Sequence, residues 1–231
     1  MLQGEAAHHL GRVLRAQVGQ AYELSDGKSV RLGRVDRAGR DVIEFFLAET
    51  IPSVVPRFST TLLLSIVKFD RFEWALEKAT ELDVAFVIPF AGARSEKALV
   101  AAAAKRAERW RKILMESAQQ ARRLSPPELL PICKELQGFS KSVAGRISAK
   151  APRIILSERA DAKPLREVLG SHARVATTSA ALAIGPEGGW TDEEFAAARA
   201  GGFVEASLGA NILRTETAVV AALASLNFMF E

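Results

Sequence analysis

The chain has 231 residues, 48% hydrophobic and 25% charged, enough apolar material for a real core and an ordinary balance for a globular protein. Its net charge of +4, with a sequence pI near 9.4, is too mild an excess to identify a partner by itself. No apolar run approaches the roughly 18 residues a membrane span needs, "MLQGEAAHHL" has no apolar signal core, and the single cysteine, Cys133, excludes an internal disulfide. A reducing, cytoplasmic setting is therefore expected, with no membrane and no zinc cluster.

Up to about Phe58 the chain reads as short strands. "QAYELSDGKSVRLGRVDRAGRDVIEFFLAE" alternates in part and is interrupted at Asp-Gly and Ala-Gly, and "SDGK" is a hairpin signal. Along a strand the neighbouring His8 and His9 would face opposite ways, which argues against a metal site. "IPSVVPRF", with two prolines, marks a linker or edge segment. The expected organisation is a small β domain over 1–58 and a second domain over 59–231.

From Ser59 the pattern changes. "TTLLLSIV" and "VAFVIPF" are continuous apolar runs, as expected of strands covered on both faces. Between them "DRFEWALEKATEL" has helical spacing, with Phe72, Leu76 and Ala79 on one face. "VAAAAKRAERWRKILMESAQQARR" predicts one long helix with Trp110, Leu114 and Ala118 on its inner stripe, so Trp110 is read as core. "GFSKSVAGRISAKAP" predicts a helix end and a loop. "RIILS", "ALAIG" and "FVEASLG" are further strands, and "TDEEFAAARAG" and "TETAVVAALASLNFMF" are further helices. Alternating strands and helices predict a mostly parallel α/β sheet.

Charge is unevenly spread. Seven cations lie between Val100 and Arg123 against two acids, whereas from Gly185 onward two arginines face seven acids. An anionic partner would meet one defined face.

Two loops carry candidate chemistry. In "LAIGPEGGWTDEEF" a strand ends in Gly-Pro-Glu-Gly-Gly, and Thr191 with Glu194 makes a capping box that starts a helix. Glycines at a strand's carboxyl end let a ligand approach the backbone. Glu187, however, would repel phosphate; it suits ribose hydroxyls, an amino group or a cation such as the sulfonium of S-adenosylmethionine. The spacing matches neither a dinucleotide nor a nucleoside triphosphate loop. The plainer reading is a tight turn with a solvated glutamate. In "SLGANILRTETAVVAAL" another strand passes through Gly209 into a helix. Glu216 suits the helix N-terminus, but Arg214 opposes the helix dipole and so suggests an anionic or carbonyl-rich ligand.

"AHHLGRVLR", "EKATEL", the Arg109–Trp110 pair, "IGPEGGW" and "LGANILRTETA" occur in order over nearly the whole chain. Together they resemble the ribosomal RNA small subunit methyltransferase E family. The resemblance implies transfer of a methyl group from S-adenosylmethionine to N3 of a uridine in small-subunit ribosomal RNA. It implies a PUA-like β-barrel that binds RNA, then a SPOUT-type α/β domain whose mostly parallel sheet ends in a C-terminal trefoil knot. The knot would form the cofactor pocket, near the subunit interface of a homodimer. Cofactor contacts would come from Leu156, from Ile184, Gly185, Pro186, Glu187, Gly188 and Gly189, and from Leu208, Gly209, Ile212, Leu213 and Thr217. Family members usually carry another β segment before "AHHL", so the expectation is either a barrel incomplete at its start or a chain that starts late. Phe69 and Asp83 stand where glycine is usual, Ala93 replaces a glutamate, Ala121-Arg122-Arg123 replaces Ser-Gly-Arg, and Asn211 replaces an arginine.

Methyl transfer from a sulfonium is an in-line displacement, which positioning should dominate. Uracil N3 must lose its proton, and the charge then spreads to O2 and O4, where arginine donors help. Arg214 and Arg94 are the candidates for that role, and Glu216 for taking the proton. RNA contacts are expected from Arg12 and Arg15 in the first domain and from Arg109, Arg122 and Arg123 in the second. Two rivals remain: a knotted RNA methyltransferase with a different target, and a non-catalytic RNA-binding or ribosome-assembly module.

Overall fold

The computed structural model describes residues 1–39, 41–52, 56–134, 143–171 and 177–230. Parts of the expected linker (53–55) and of the expected helix end (138–142) lie outside the described residues. The chain divides into two compact units, Met1–Val55 and Pro56–Glu231.

In the first unit, strands β1 (Leu2–Gln3), β2 (Ala21–Ser25), β3 (Val30–Ala38) and β4 (Val42–Ile51) form an antiparallel sheet in the order β1-β4-β3-β2. Its small core joins Val35 and Ile43 to Ala7 and Ala16. The "SDGK" signal does form a hairpin turn. Asp26 Oδ1 accepts from the backbone N–H groups of Lys28 (2.8 Å) and Ser29 (2.7 Å), and these bonds hold the Asp26 carboxyl below its ordinary range. One expectation is corrected. Residues 4–13 are not extended but form helix α1 (Gly4–His8), which runs into a π-type turn, His9–Val13. Ala7 and Leu10 share helical spacing and pack toward the sheet, which leaves His8 and His9 exposed.

The second unit is a seven-stranded sheet whose paired strands are all parallel. Strands β5 (Ser59–Ser65), β6 (Val84–Phe90), β7 (Glu128–Leu129), β8 (Arg153–Leu156), β9 (Lys163–Pro164), β10 (Ser179–Ile184) and β11 (Val204–Ser207) lie in the order β7-β6-β5-β10-β8-β11-β9. The central pair β5 and β10 explains the apolar runs, because both faces of each are covered. Leu62, Leu64, Leu182 and Ile184 face one core, while Leu63, Ala181 and Ala183 face another. Burying each leucine contributes roughly 2 kcal/mol.

Helices α2 (Phe69–Glu81), α4 (Ala107–Gln120), α5 (Leu165–Gly170) and α7 (Thr215–Phe230) supply residues to the first core, and α6 (Asp192–Ala200) to the second. Phe72, Leu76 and Ala79 of α2 are buried as their spacing predicts, and Phe72 meets Trp110 at 4.5 Å between ring centroids. The expected long helix is interrupted. Helix α3 (Lys97–Ala103) gives way to a 3₁₀ turn at Ala104–Arg106 before α4 begins. This tightened turn coincides with Arg106 lying over the Phe69 ring, 4.6 Å from its centroid. Helix α4 then stops at Gln120, three residues before the expected end. There Arg122 turns left-handed, and the N–H of Arg123 returns to Ala118 O at 2.9 Å.

Candidate functional site

Because the strands are parallel, the segments after β10, β8 and β11 all leave from one edge of the sheet, with β8 in the middle. The chain after Leu156 therefore runs between the Gly185–Thr191 loop and the Leu208–Arg214 loop. A cavity of about 390 Å³ opens there, of the size that holds a small organic ligand.

The local sequence dictates the walls. A side chain at Gly185 would bring its Cβ to 3.0 Å from the Trp190 indole and displace it, and Gly189 turns with φ of +71°, where a side chain strains the backbone. Trp190 is fixed in turn, its Nε1 donating to Leu156 O at 3.0 Å. Thr191 ends the loop with the capping box foreseen in the sequence: its hydroxyl accepts from Glu194 N (3.2 Å), and Glu194 Oε2 accepts from Thr191 N (2.8 Å). The second loop is tied to the first by Thr215, whose hydroxyl donates to Gly185 O at 3.1 Å.

Charged groups surround this frame. Arg94, on the loop after β6, donates from Nη1 to Gly188 O at 2.8 Å. Arg71, in the first turn of α2, pairs with Glu187 and stands 3.8 Å from Glu216 Oε1. The other Glu216 oxygen, Oε2, is buried without a hydrogen-bond partner. Arg159 pairs with Asp192 and lies over the Phe195 ring, 4.1 Å from its centroid.

Residues 55–227 match the RNA methyltransferase domain family model. A ribosomal RNA small subunit methyltransferase E from Synechocystis is 32% identical over 97% of this chain and 71% of its own length. The chain belongs to the ribosomal RNA small subunit methyltransferase E family. A member from Mycobacterium bovis is 30% identical over 99% of this chain and 86% of its own. The crystal structure of the Neisseria gonorrhoeae member, bound to S-adenosyl methionine, superposes with a TM-score of 0.87 at 29% identity, covering 99% of this chain and 91% of that one. A Legionella pneumophila methyltransferase, also in complex with the cofactor, gives 0.83 at 29% identity over 98% and 90% of the two chains.

Within this family member the cavity gathers Leu156, Ile184 through Gly189, Leu208, Gly209, Ile212 and Leu213, together with Arg94. Thr217, Arg214 and Glu216 do not line it; Thr217 and Arg214 are exposed at the start of α7, and Glu216 is turned toward Arg71. The cavity also includes Glu158, Arg159, Trp190 and Asp192, which sequence reasoning passed over. Their signal was position: "SER" directly follows the buried strand "RIIL", and Trp190 directly follows the glycine loop.

The five arginines proposed for RNA are not in one setting. Arg12 and Arg15 are exposed in the first unit. Arg109 is 61% exposed but grips Glu73 with Nε at 2.9 and 2.8 Å from its two oxygens. Arg122 is exposed. Arg123 turns inward, donating to Thr80 O and Val84 O, both at 2.9 Å, and to Asp83 Oδ1 at 3.1 Å. Burial holds its guanidinium below the usual arginine pKa, and Asp83 opposes that shift. Its donors serve the end of α2.

Proposed function

We propose that the chain binds S-adenosylmethionine in this cavity and methylates N3 of a uridine in small-subunit ribosomal RNA. The supporting observation is the cavity itself. Apolar side chains and bare glycine backbone share its lining with three carboxylates, Glu158, Glu187 and Asp192, and two guanidiniums, Arg94 and Arg159. That balance suits a phosphate-free adenosyl group carrying a cationic sulfonium and disfavours a triphosphate. Two similar methyltransferases, each 29% identical to this chain, hold S-adenosylmethionine.

In this reading the cofactor, when bound, supplies an electrophilic methyl group. The chain's own residues bind, orient and balance charge. Arg71 holds the Glu187 carboxylate at the cavity wall. Arg94 spends one N–H on Gly188 O and keeps others for uracil O2 or O4 as N3 gives up its proton. Arg214, exposed beside Thr215 at the start of α7, acts with it. Glu216 serves as the second anchor of Arg71, and the N3 proton leaves to water. The first unit is the PUA-like RNA-binding domain, and Arg12, Arg15, Arg109 and Arg122 contact phosphates. The bond from Thr215 to Gly185 O supports closure of the C-terminal segment into the trefoil knot of a SPOUT domain. Two large apolar side chains left exposed, Ile212 at 77% and Phe228 at 93%, support a homodimer.

Calorimetry with S-adenosylhomocysteine and mass analysis of nucleosides from methylated 30S subunits test this reading. We expect micromolar binding and a single new methyluridine, with Arg214→Ala lowering kcat on the order of tenfold at unchanged cofactor affinity. Binding without any methylation would favour a non-catalytic module, and a different methylated base would favour another target.

A further inference from the structure

The Glu194 side chain has more than one task. It is 1% exposed, a carboxylate buried among backbone groups. Oε2 accepts from Thr191 N at 2.8 Å and so closes the cap of α6. Oε1 accepts from the backbone N–H of Ala93, also at 2.8 Å, on a loop that the capping rule does not mention. That loop is a tight turn in which Ser95 N donates to Gly92 O at 3.0 Å. The next residue after Ala93 is Arg94, which reaches back to Gly188 O. The arginine loop is thus fastened twice, to the start of α6 through the Ala93 N–H and to the glycine loop through the Arg94 guanidinium itself. Because the Ala93 contact is made by main chain, it does not depend on which side chain stands at position 93. A buried carboxylate is costly unless its oxygens are satisfied, and here two N–H groups and a helix N-terminus satisfy them. Removing it would free both the cap and the Arg94 turn.

We propose that Glu194 is a positioning residue for methyl transfer: it fixes the Gly92–Ser95 turn against the glycine loop, so that Arg94 faces the reacting base. This inference rests on the reading in which Arg94 stabilises the uracil anion. A shift of about 1 Å in such a group lowers turnover on the order of 100-fold.

The test compares Glu194→Ala, Arg94→Ala, the double variant and Thr191→Ala in the full chain. Thr191→Ala removes the hydroxyl half of the capping box and leaves both Glu194 oxygens bonded, to the backbone N–H groups of residues 93 and 191, so its melting temperature should fall while kcat stays within about twofold of the parent. Arg94→Ala and Glu194→Ala should each lower kcat at least tenfold, and the double variant should be no slower than Arg94→Ala alone, because both losses act through one group. A second readout needs no cofactor. Trypsin cleavage after Arg94, followed by mass spectrometry, should speed up on the order of tenfold in Glu194→Ala and stay unchanged in Thr191→Ala. Should Glu194→Ala not fold, Glu194→Gln replaces it, since Ala93 and Thr191 donate to different carboxylate oxygens and the amide NH2 that takes the place of one of them is a donor. Additive losses in the double variant, or equal cleavage rates in Glu194→Ala and the parent, overturn the inference. Parental kcat in Arg94→Ala overturns both it and the reading of Arg94 on which it rests.

Discussion

Asp83 and Arg122 adopt positive φ, 65° and 54°, where a side chain is disfavoured. They are two of the positions at which the family resemblance leads to an expectation of glycine. The structure explains why glycine suits both sites: each is the left-handed residue that ends a helix. It also shows what Asp83 gains, an ion pair with Arg123 at 3.1 Å. Arg123→Ala would remove the guanidinium donor from that carboxylate and from the carbonyls of Thr80 and Val84, of which Thr80 O keeps the Asp83 N–H at 3.2 Å. We expect a loss of about 2–3 kcal/mol in urea unfolding. In the same background Asp83→Gly should recover about 1 kcal/mol, since only the strain then remains to be relieved. If Asp83→Gly destabilises both backgrounds equally, the ion pair is not what holds the aspartate there. None of this could be read from local sequence, because Arg123 meets Asp83 only after two helices have packed.

Elements whose signal is internal were legible. Helix α2 announces itself through Phe72, Leu76 and Ala79, β10 through its unbroken apolar run, and the start of α6 through Thr191 and Glu194. Elements that depend on a neighbour were less legible. Residues 4–13 are helical because Ala7 and Leu10 need one face against the sheet, and ten polar-flanked residues before a run of strands gave too short a pattern to separate the two periods. The break at Ala104–Arg106 was likewise hidden, since alanine and arginine favour an uninterrupted helix. Glu194 shows the limit within a single residue: its cap was visible, but its bond to Ala93, 101 residues away, was not. Two substitutions test the elements at the site. Thr191→Ala should cost about 1 kcal/mol of stability. Gly185→Ala should push the Trp190 indole off Leu156 O and weaken S-adenosylhomocysteine binding at least tenfold, roughly the effect of overpacking a tight site. Calorimetry with parental affinity for the Gly185→Ala variant would sink that account of the glycine.

On the scale of the whole molecule, the sequence foretold a parallel sheet but not its order. Leu62 of β5 lies beside Leu182 of β10, a pairing that no local pattern encodes, and the cavity exists because β8 then separates the two loop-bearing strands. The segregation of charge was legible, and it leads to a measurable expectation. RNA affinity should fall as salt rises, and Arg109→Glu or Arg122→Glu should each reduce the log–log slope by about 1 without changing cofactor affinity. A slope unaffected by either change would move the RNA contact elsewhere. The tie between Thr215 and Gly185 O has a temporal side as well. Nearly every group around the cavity is C-terminal to Arg153, and a chain is synthesised from its N-terminus with early parts folding first. The sheet's middle can form while the last helix is still being made, but the binding chamber cannot. The chamber has no complete wall, and so no means of holding methyl donor, until the chain through Ala218 has been made and packed.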